Sequence, residues 1–470
     1  MHAVVVTALL ALSPVAGAIA AGGDPRVALP DDPEAAALVR EALEKSPDVA
    51  RSRSTAQAER DRVPQIGALP DPTLTLGIQN DGFQSIQIGR MDTSFWQVML
   101  TQPIPWPGKL GAREAAVRTQ ATLADAQLDR VRLSTIADVE RAYVDLLLVR
   151  SQIDLLGELE ALWREAEAIA RTRYEVGQVS QSDLLRAQLE RTRLALQRIA
   201  LVSQEQTRVQ GLNALRIRPL DEPVASRRTL SGFAEPPLRA EAEVLADAES
   251  RSPDLRVALL SVKVAERNLD AARQGWFPDL SVSAGVMPRG SIEPMWAAQV
   301  GITLPVFGAS KQSKAVAESA SRQEAEAQGA AATRHLVLLR ARERRTLLAA
   351  TLETVELYRS GLLVQSDAAV QSTLAQYRVG KVNFLAVLEV LRGLVVDEGD
   401  FLEALAGAQR IGIAEREVSL APLAMAGASA SPTTVPGAGA TAGARAPAGE
   451  AGAASEAAAP AGAGGMPSGM

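Results

Sequence analysis

Long stretches of this chain have apolar residues at helical spacing. From Lys109 to Val176, and again from Lys311 to Val379, the sequence contains no proline. At about 1.5 Å per residue, each stretch predicts a helix of roughly 100 Å. Spacings of three, four, three and seven residues separate Ile136, Val139, Tyr143, Leu146 and Ile153. This spacing predicts a coiled-coil seam along the first helix.

Four short segments instead alternate between apolar and polar residues, which predicts β-strands. They are residues 72–80, 94–104, 279–287 and 294–304. One face carries Leu74, Leu76, Ile78, Trp96, Val98, Leu100, Val282, Ala284, Val286, Trp296, Ala298, Val300 and Ile302. The opposite face carries Thr73, Thr75, Gln97, Thr101, Ser281, Ser283, Gln299 and Thr303. Strands of about 9 to 11 residues with these two faces are typical of outer-membrane barrels, whose pore Gln97, Thr101, Gln299 and Thr303 would line.

The two halves of the chain repeat one another. The stretch "KSPDVARSR" at 45–53 corresponds to "RSPDLRVAL" at 251–259, and "LPDPTLTLG" at 69–77 corresponds to "FPDLSVSAG" at 277–285. Self-similarity of this kind redefines the structural unit. We therefore expect a first repeat at 32–217, a linker at 218–238 and a second repeat at 239–420.

Each repeat also interrupts its long helix with a glycine. "RYEVGQVSQSDLL" at 171–183 corresponds to "QYRVGKVNFLAVL" at 376–388, so that Tyr174 and Gly177 recur as Tyr377 and Gly380. Glycine permits the backbone conformation that a tight reversal needs. Apolar periodicity resumes after both turns, at Leu185, Leu189, Leu196 and Ile199 and then at Leu388, Leu391 and Val395. Each repeat is therefore expected to fold as a β-hairpin joined to a long helical hairpin.

Aromatic residues gather at the two ends of the predicted strands. Trp106 and Trp276 fall where strands meet helices, together with Phe277 and Phe307, whereas Trp96 and Trp296 fall near the opposite ends. Two aromatic rows that bracket apolar strands indicate the interfacial girdles of a membrane barrel. The alternative is that these are core aromatics of a small soluble sheet.

Four strands cannot close a barrel, because the smallest membrane barrels have about 8 strands and an open edge is not tolerated in hydrocarbon. Two copies of the chain would supply 8 strands and three copies would supply 12. The polar inner face indicates a water-filled interior, which favours the larger number. Closure alone leaves the number of copies open.

Composition and charge exclude several other functions. The net charge of -6 argues against nucleic-acid binding, which needs a basic face. Cysteine is absent and the two histidines, His2 and His335, are isolated, so we expect no metal site, no cofactor and no enzymatic activity. Residues 1–21 have the apolar core and small-residue pattern of a signal peptide, which predicts export. The Ala-, Gly- and Pro-rich residues 426–470 are expected to be disordered.

Over residues 32–420 the chain resembles the TolC family of outer-membrane factors. The features that carry this resemblance are the duplicated unit, the "QPIPWPGK" junction at 102–109 and both Y-x-x-G turns. The proline-rich junction is more similar to family members that export heavy metals and cations than to TolC itself. The resemblance implies a homotrimer in the outer membrane of a Gram-negative bacterium, with a 12-stranded barrel on a periplasmic α-helical barrel. It also implies a periplasmic adaptor and an inner-membrane transporter of RND or ABC type as partners, in efflux or type I secretion.

The same resemblance assigns roles to the turns. The adaptor would dock on Tyr174, Gly177, Gln178, Ser180, Tyr377, Gly380 and Lys381. Asp183 and Glu389 match acidic positions at the periplasmic gate, whereas Ala386 replaces an aspartate of TolC. Alternatively, the turns merely reverse the chain and Asp183 caps the returning helix.

Two other classes of protein have helical hairpins. A periplasmic adaptor would contain one hairpin flanked by Gly-rich β-domains, whereas the hairpin occurs twice here. A coiled-coil scaffold without a membrane barrel would have soluble loops in place of the four strands.

Overall fold

A computed structural model describes residues 32–226 and 228–422 of the 470-residue chain. The predicted signal peptide and the predicted C-terminal tail lie outside the described residues. The described part is mostly helical, with one four-stranded sheet, which confirms the predicted mostly α fold with a small β part.

Both repeats use the same order of elements. The first contains α1 Pro33–Lys45, α2 Pro47–Gly67, β1 Thr73–Gln79, β2 Phe95–Ile104, α3 Lys109–Glu175 and α4 Gln181–Arg216. The second contains α5 Glu241–Arg251, α6 Pro253–Arg273, β3 Asp279–Arg289, β4 Ile292–Thr303, α7 Gln312–Leu357, α8 Leu363–Arg378 and α9 Phe384–Glu417. A π-helical turn, Tyr358–Leu362, joins α7 to α8. The continuous helix expected over Lys311–Val379 is therefore interrupted.

The repeated "SPD" triplet explains why α2 and α6 begin where they do. The hydroxyl of Ser46 accepts a hydrogen bond from the amide of Val49, and that of Ser252 accepts one from the amide of Leu255, both at 3.4 Å. In each case the next residue is proline, whose fixed φ and missing N–H suit the first helical position. Both repeats therefore begin this helix with the same serine N-cap and the same proline at the first helical position.

The four strands form one antiparallel sheet in the order β1-β2-β3-β4. The central pair joins the two repeats, with Val98 opposite Val286 and Thr101 opposite Ser283. The loops that the scaffold hypothesis expects in these segments are contradicted, because all four segments pair as strands, with one register shift between Met287 and Arg289.

The helices pack into a bundle in which α3 is central, contacting α2, α4, α6 and α9. Four of its five predicted seam residues are buried, and Ile153 is half-buried. Near the turns, a second core forms around Trp163 of α3, Tyr377 of α8, and Phe384 and Leu391 of α9. The two helical hairpins therefore share an apolar core at the end that carries both turns.

The predicted hairpin of the first repeat is present, because α4 packs along α3. The apolar residues Leu185, Leu189, Leu196 and Ile199 of α4 nevertheless stay 50–67 % exposed in the single chain. Near the turn, the buried residues of α4 are Ala187 and Glu190. The equivalent helix of the second repeat differs, because Leu388 and Leu391 are buried and Val395 is half-buried.

Candidate functional site

Both turns have the left-handed glycine that the sequence predicts. Gly177 has φ 72° and Gly380 has φ 80°. In each turn the next residue donates its amide hydrogen to a carbonyl five residues back, Gln178 to Arg173 at 2.8 Å and Lys381 to Gln376 at 2.9 Å. This pattern satisfies carbonyls that the helix end leaves free. Two equivalent turns thus end the long helices.

The predicted docking residues divide into exposed and buried positions. Gln178, Ser180 and Lys381 are exposed, and Tyr174 is 41 % exposed. Tyr377 occupies the position equivalent to Tyr174 but is fully buried. Its ring lies 5.8 Å from that of Phe384, in the core near the turns. The structure therefore brings Tyr377 into the core, where no partner can touch it.

Arg173 connects the two turns, a contact that sequence reasoning missed. Its guanidinium carbon lies 4.9 Å from the ring centroid of Tyr377, and its Nη1 donates a hydrogen bond to the Tyr377 carbonyl at 2.9 Å. Burial raises the pKa of Tyr377. The positive charge of Arg173 lowers this pKa and the negative charge of Asp183 raises it, but burial has the largest effect. The second repeat has Gln376 at the equivalent position, so the duplication contains no signal for this contact.

The two returning helices begin differently. Asn383 is the N-cap of α9, and its side chain accepts a hydrogen bond from the amide of Ala386 at 3.0 Å. Ser180 is the N-cap of α4 and makes no such side-chain bond. Asp183 lies in the first turn of α4, so it is not the capping residue, although a carboxylate there still interacts favourably with the helix dipole. Asp183 is half-buried and Glu389 is exposed.

A second missed contact joins α4 to α9 a short distance from the turns. The carboxylate of Glu190, which is 7 % exposed, binds Arg392 of α9 and Arg193 of its own helix. Burial opposes ionisation of Glu190, but the hydrogen bonds from both arginines outweigh it and lower the pKa. The contact links the two repeats, as the Arg173 contact does.

The sheet has one apolar and one polar face, as the alternation predicts. The larger apolar side chains on the first face are exposed in the single chain, from Val98 at 37 % to Trp296 at 79 %. On the polar face, the hydroxyls of Thr101 and Ser283 lie 2.9 Å apart across the junction between the repeats. The register places Gln97 and Thr101, together with Gln299 and Thr303, on this same polar face.

The predicted aromatic residues lie at both ends of the sheet. At the helix end, the rings of Trp106 and Phe277 stack at 5.8 Å, and Trp276 is 45 % exposed. At the other end Trp96 and Trp296 are exposed. The helix end is further fixed by Asp279 of β3, whose carboxylate accepts hydrogen bonds from the Trp106 amide at 3.0 Å and the Lys109 ammonium at 2.9 Å. No pattern in the sequence predicts the contacts of Asp279.

Within residues 32–226 and 228–422, His, Asp and Glu side chains form no group of three or more that could hold a metal ion. Over the same residues, no helix is both long and apolar enough to cross a membrane.

Comparison with known proteins gives one family. The model of the family described as "Outer membrane efflux protein" matches residues 38–217 and 244–407, which correspond to the two repeats. The match covers most of the described chain. The two matched segments begin and end near the boundaries of the two repeats.

Individual relatives are distant. The chain is 27 % identical over 281 residues to the toluene efflux pump outer membrane protein TtgF of Pseudomonas putida, covering 57 % of this chain and 54 % of the relative. It thus spans about half the length of this relative. Among solved structures, CusC has a TM-score of 0.71 at 17 % identity, covering 82 % of this chain and 92 % of CusC. The open MtrE channel of Neisseria gonorrhoeae has a TM-score of 0.69 at 20 % identity, covering 82 % of this chain and 89 % of MtrE. At these identities the structural likeness establishes the fold.

Proposed function

Since the chain belongs to the outer membrane efflux protein family, we propose that it is an outer-membrane exit duct of a tripartite efflux pump or type I secretion system. The observation that supports this most is the sheet, whose apolar face stays exposed on all four strands. Burying apolar surface is worth about 25 cal/mol per Å², so a face of this kind needs a cover. Lipid hydrocarbon is the cover that suits an alternating sheet with aromatic residues at both ends.

The duct is a homotrimer in this proposal. Strands β1 and β4 are the two edges of the sheet, so each leaves one row of backbone groups without a strand partner in the chain. Such edges must pair in hydrocarbon, and three copies joined edge to edge give 12 strands. The exposed apolar residues of α4, including Leu185 and Ile199, supply a matching surface between the helices of adjacent copies.

The polar face lines the pore in the same arrangement. Gln97, Thr101, Gln299 and Thr303 share that face, and side chains of this kind suit a water-filled interior. Trp96 and Trp296 form one interfacial girdle, and Trp106 and Trp276 form the other.

The turns face the periplasm, where an adaptor docks and connects the duct to an inner-membrane transporter. The docking surface consists of the exposed residues Tyr174, Gln178, Ser180 and Lys381, while Gly177 and Gly380 set the shape of the two turns. Tyr377 contributes from the core by holding the turns together. Asp183 and Glu389 form the periplasmic gate, repeated by the symmetry of the trimer.

Membrane fractionation with a chemical crosslinker tests this proposal in cells. A barrel should partition with the outer membrane, require detergent for extraction, migrate differently in electrophoresis with and without heating, and crosslink as a trimer. Loss of the gene should increase sensitivity to exported compounds. A detergent-independent, soluble protein would instead support a periplasmic scaffold.

A further inference from the structure

A cavity of about 570 Å³ lies between the inter-repeat linker and the α3/α9 pair, away from the sheet and the turns. The linker closes one side because Pro236 packs directly on α9. A Cβ atom at Gly412 would come within 2.8 Å of the Pro236 ring. A glycine is therefore required for this close approach. The volume is in the range that holds a small organic ligand.

One part of the cavity wall is apolar and aromatic. Tyr143 and Phe233 meet edge to face with ring centroids 6.3 Å apart, and Val144 and Ile413 continue the surface. Such a surface would accept a hydrocarbon or aromatic body.

The cations that line the cavity are already paired. Arg416 binds Glu140, and Arg239 and Arg251 both bind Asp247. The fourth, Arg228, lies 5.9 Å from the Phe233 ring centroid and 3.5 Å from a carboxylate oxygen of Asp32. Each of these arginines thus has a carboxylate partner, with Arg239 and Arg251 sharing one, so an anionic ligand would have to compete with these ion pairs.

Two carboxylates at the cavity can accept further hydrogen bonds. Asp32 is 8 % exposed, and its Oδ2 has no hydrogen-bond partner among the described residues. Glu415 is half-buried and makes no ion pair or hydrogen bond within the described part of the chain. Burial raises the pKa of the Glu415 carboxyl, although Arg239, Arg344 and Arg345 act in the opposite direction. The unsatisfied Oδ2 of Asp32 and the half-buried carboxylate of Glu415 can each accept a hydrogen bond from a cationic donor, which offsets the cost of burying these oxygens.

We propose that this cavity binds a small organic cation with an apolar body, an arylalkyl amine being the simplest member of the class. The ammonium group donates to Glu415 and Asp32, and the ring lies against Tyr143 and Phe233. Contact with these rings also favours a cation. The proposal does not depend on the duct function, since it concerns a site between the linker and the helices.

Calorimetric titration of the full chain in detergent with phenethylamine tests the proposal. Phenethyl alcohol, which has the same ring without the charge, and phenylacetate, with the opposite charge, serve as matched ligands. We expect phenethylamine to bind at least tenfold more tightly than either. Glu415→Gln and Asp32→Asn should each weaken phenethylamine binding about tenfold, whereas Glu326→Gln, which changes an exposed carboxylate of α7, should leave it unchanged.

A photoreactive azide of phenethylamine locates the site independently of affinity. After irradiation, mass spectrometry should find the label on residues 228–239 or 409–416. Equal binding of amine and alcohol, unchanged binding in folded Glu415→Gln and Asp32→Asn proteins, or labelling confined to other regions would each overturn the proposal.

Discussion

Arg173 at the end of α3 binds Tyr377 at the end of α8 in two ways, through a 2.9 Å hydrogen bond to the carbonyl and by stacking on the ring at 4.9 Å. One side chain thereby fixes the first turn to the second. Because the two residues lie 204 positions apart in the chain, the contact also links the two repeats.

Replacing Arg173 should loosen the end of the bundle that carries the turns. Arg173→Ala removes one charge-assisted hydrogen bond and one cation–π contact, which together stabilise by about 2 kcal/mol. We expect thermal unfolding in detergent at a lower temperature and faster proteolysis at residues 174–180. Arg171→Ala, an exposed neighbour, is the control, and an equal effect of both substitutions would contradict the role of Arg173.

The two turn glycines should differ in their tolerance of a side chain. Alanine in the left-handed conformation costs about 1 kcal/mol at either position. At Gly380 the new Cβ would also lie 3.1 Å from the Arg173 guanidinium, whereas at Gly177 it would meet nothing within 4 Å. Gly380→Ala should therefore reduce thermal stability more than Gly177→Ala.

Gly157→Ala is a control that should change protein stability in the opposite direction from Gly177→Ala and Gly380→Ala. Gly157 lies within α3, and a Cβ there would meet nothing within 4 Å. Alanine is a better helix former than glycine by about 1 kcal/mol, so this substitution should stabilise the protein. If Gly177→Ala and Gly380→Ala also stabilise, the turns do not need the left-handed conformation.

Glu41 should make stability depend on pH in the acid range. Its partial burial opposes ionisation, but hydrogen bonds from Lys45, Arg216 and Arg218 outweigh this and lower the pKa of Glu41 from 4.5 to about 2. A lowered folded-state pKa contributes stability that is present above pH 4.5 and is lost as the pH falls toward 2. Glu41→Gln should therefore flatten the decline in unfolding temperature across that window.

Glu44 provides the comparison for the pH measurement, because it lies on the same helix and is exposed. Glu44→Gln should retain the acid-dependent decline of the wild type. If Glu41→Gln retains it as well, the three basic partners do not hold the Glu41 carboxylate in solution.

The two faces of β4 should respond differently to the same charge. Val300→Arg places a cation on the proposed lipid face, which costs about 2 to 4 kcal/mol near the midplane, and it should reduce barrel assembly. Gln299→Arg, one residue away on the polar face, should assemble and alter conductance. Equal levels of heat-modifiable trimer for the two variants would refute the assignment of the faces.

The sequence predicted the features that repeat or alternate, because these leave local signals. Strand alternation and the turn glycines can be seen in segments of about ten residues, and the structure has both. Contacts that differ between the repeats leave no such signal. Arg173 has glutamine as its counterpart, and nothing in the residues around Tyr358 marks the π-helical turn.

The environment of α4 was unpredictable for a different reason. Apolar periodicity at Leu185 and Leu189 indicates that a face will be covered, but it does not distinguish the same chain from another copy. In the single chain that face is exposed. The same limit applies to the sheet, whose apolar face could be assigned from sequence but whose cover could not.

Single-channel recording of the purified protein in a planar lipid bilayer tests the central claim, that this chain forms a duct with an acidic periplasmic gate. A duct with this gate should show discrete conductance steps in the wild type, partial block by divalent cations, and weaker block in Asp183→Asn and Glu389→Gln. Assembled trimers that insert into the bilayer without conductance steps would contradict the duct. Conductance steps with identical cation block in all three proteins would retain the duct but place the gate at other residues.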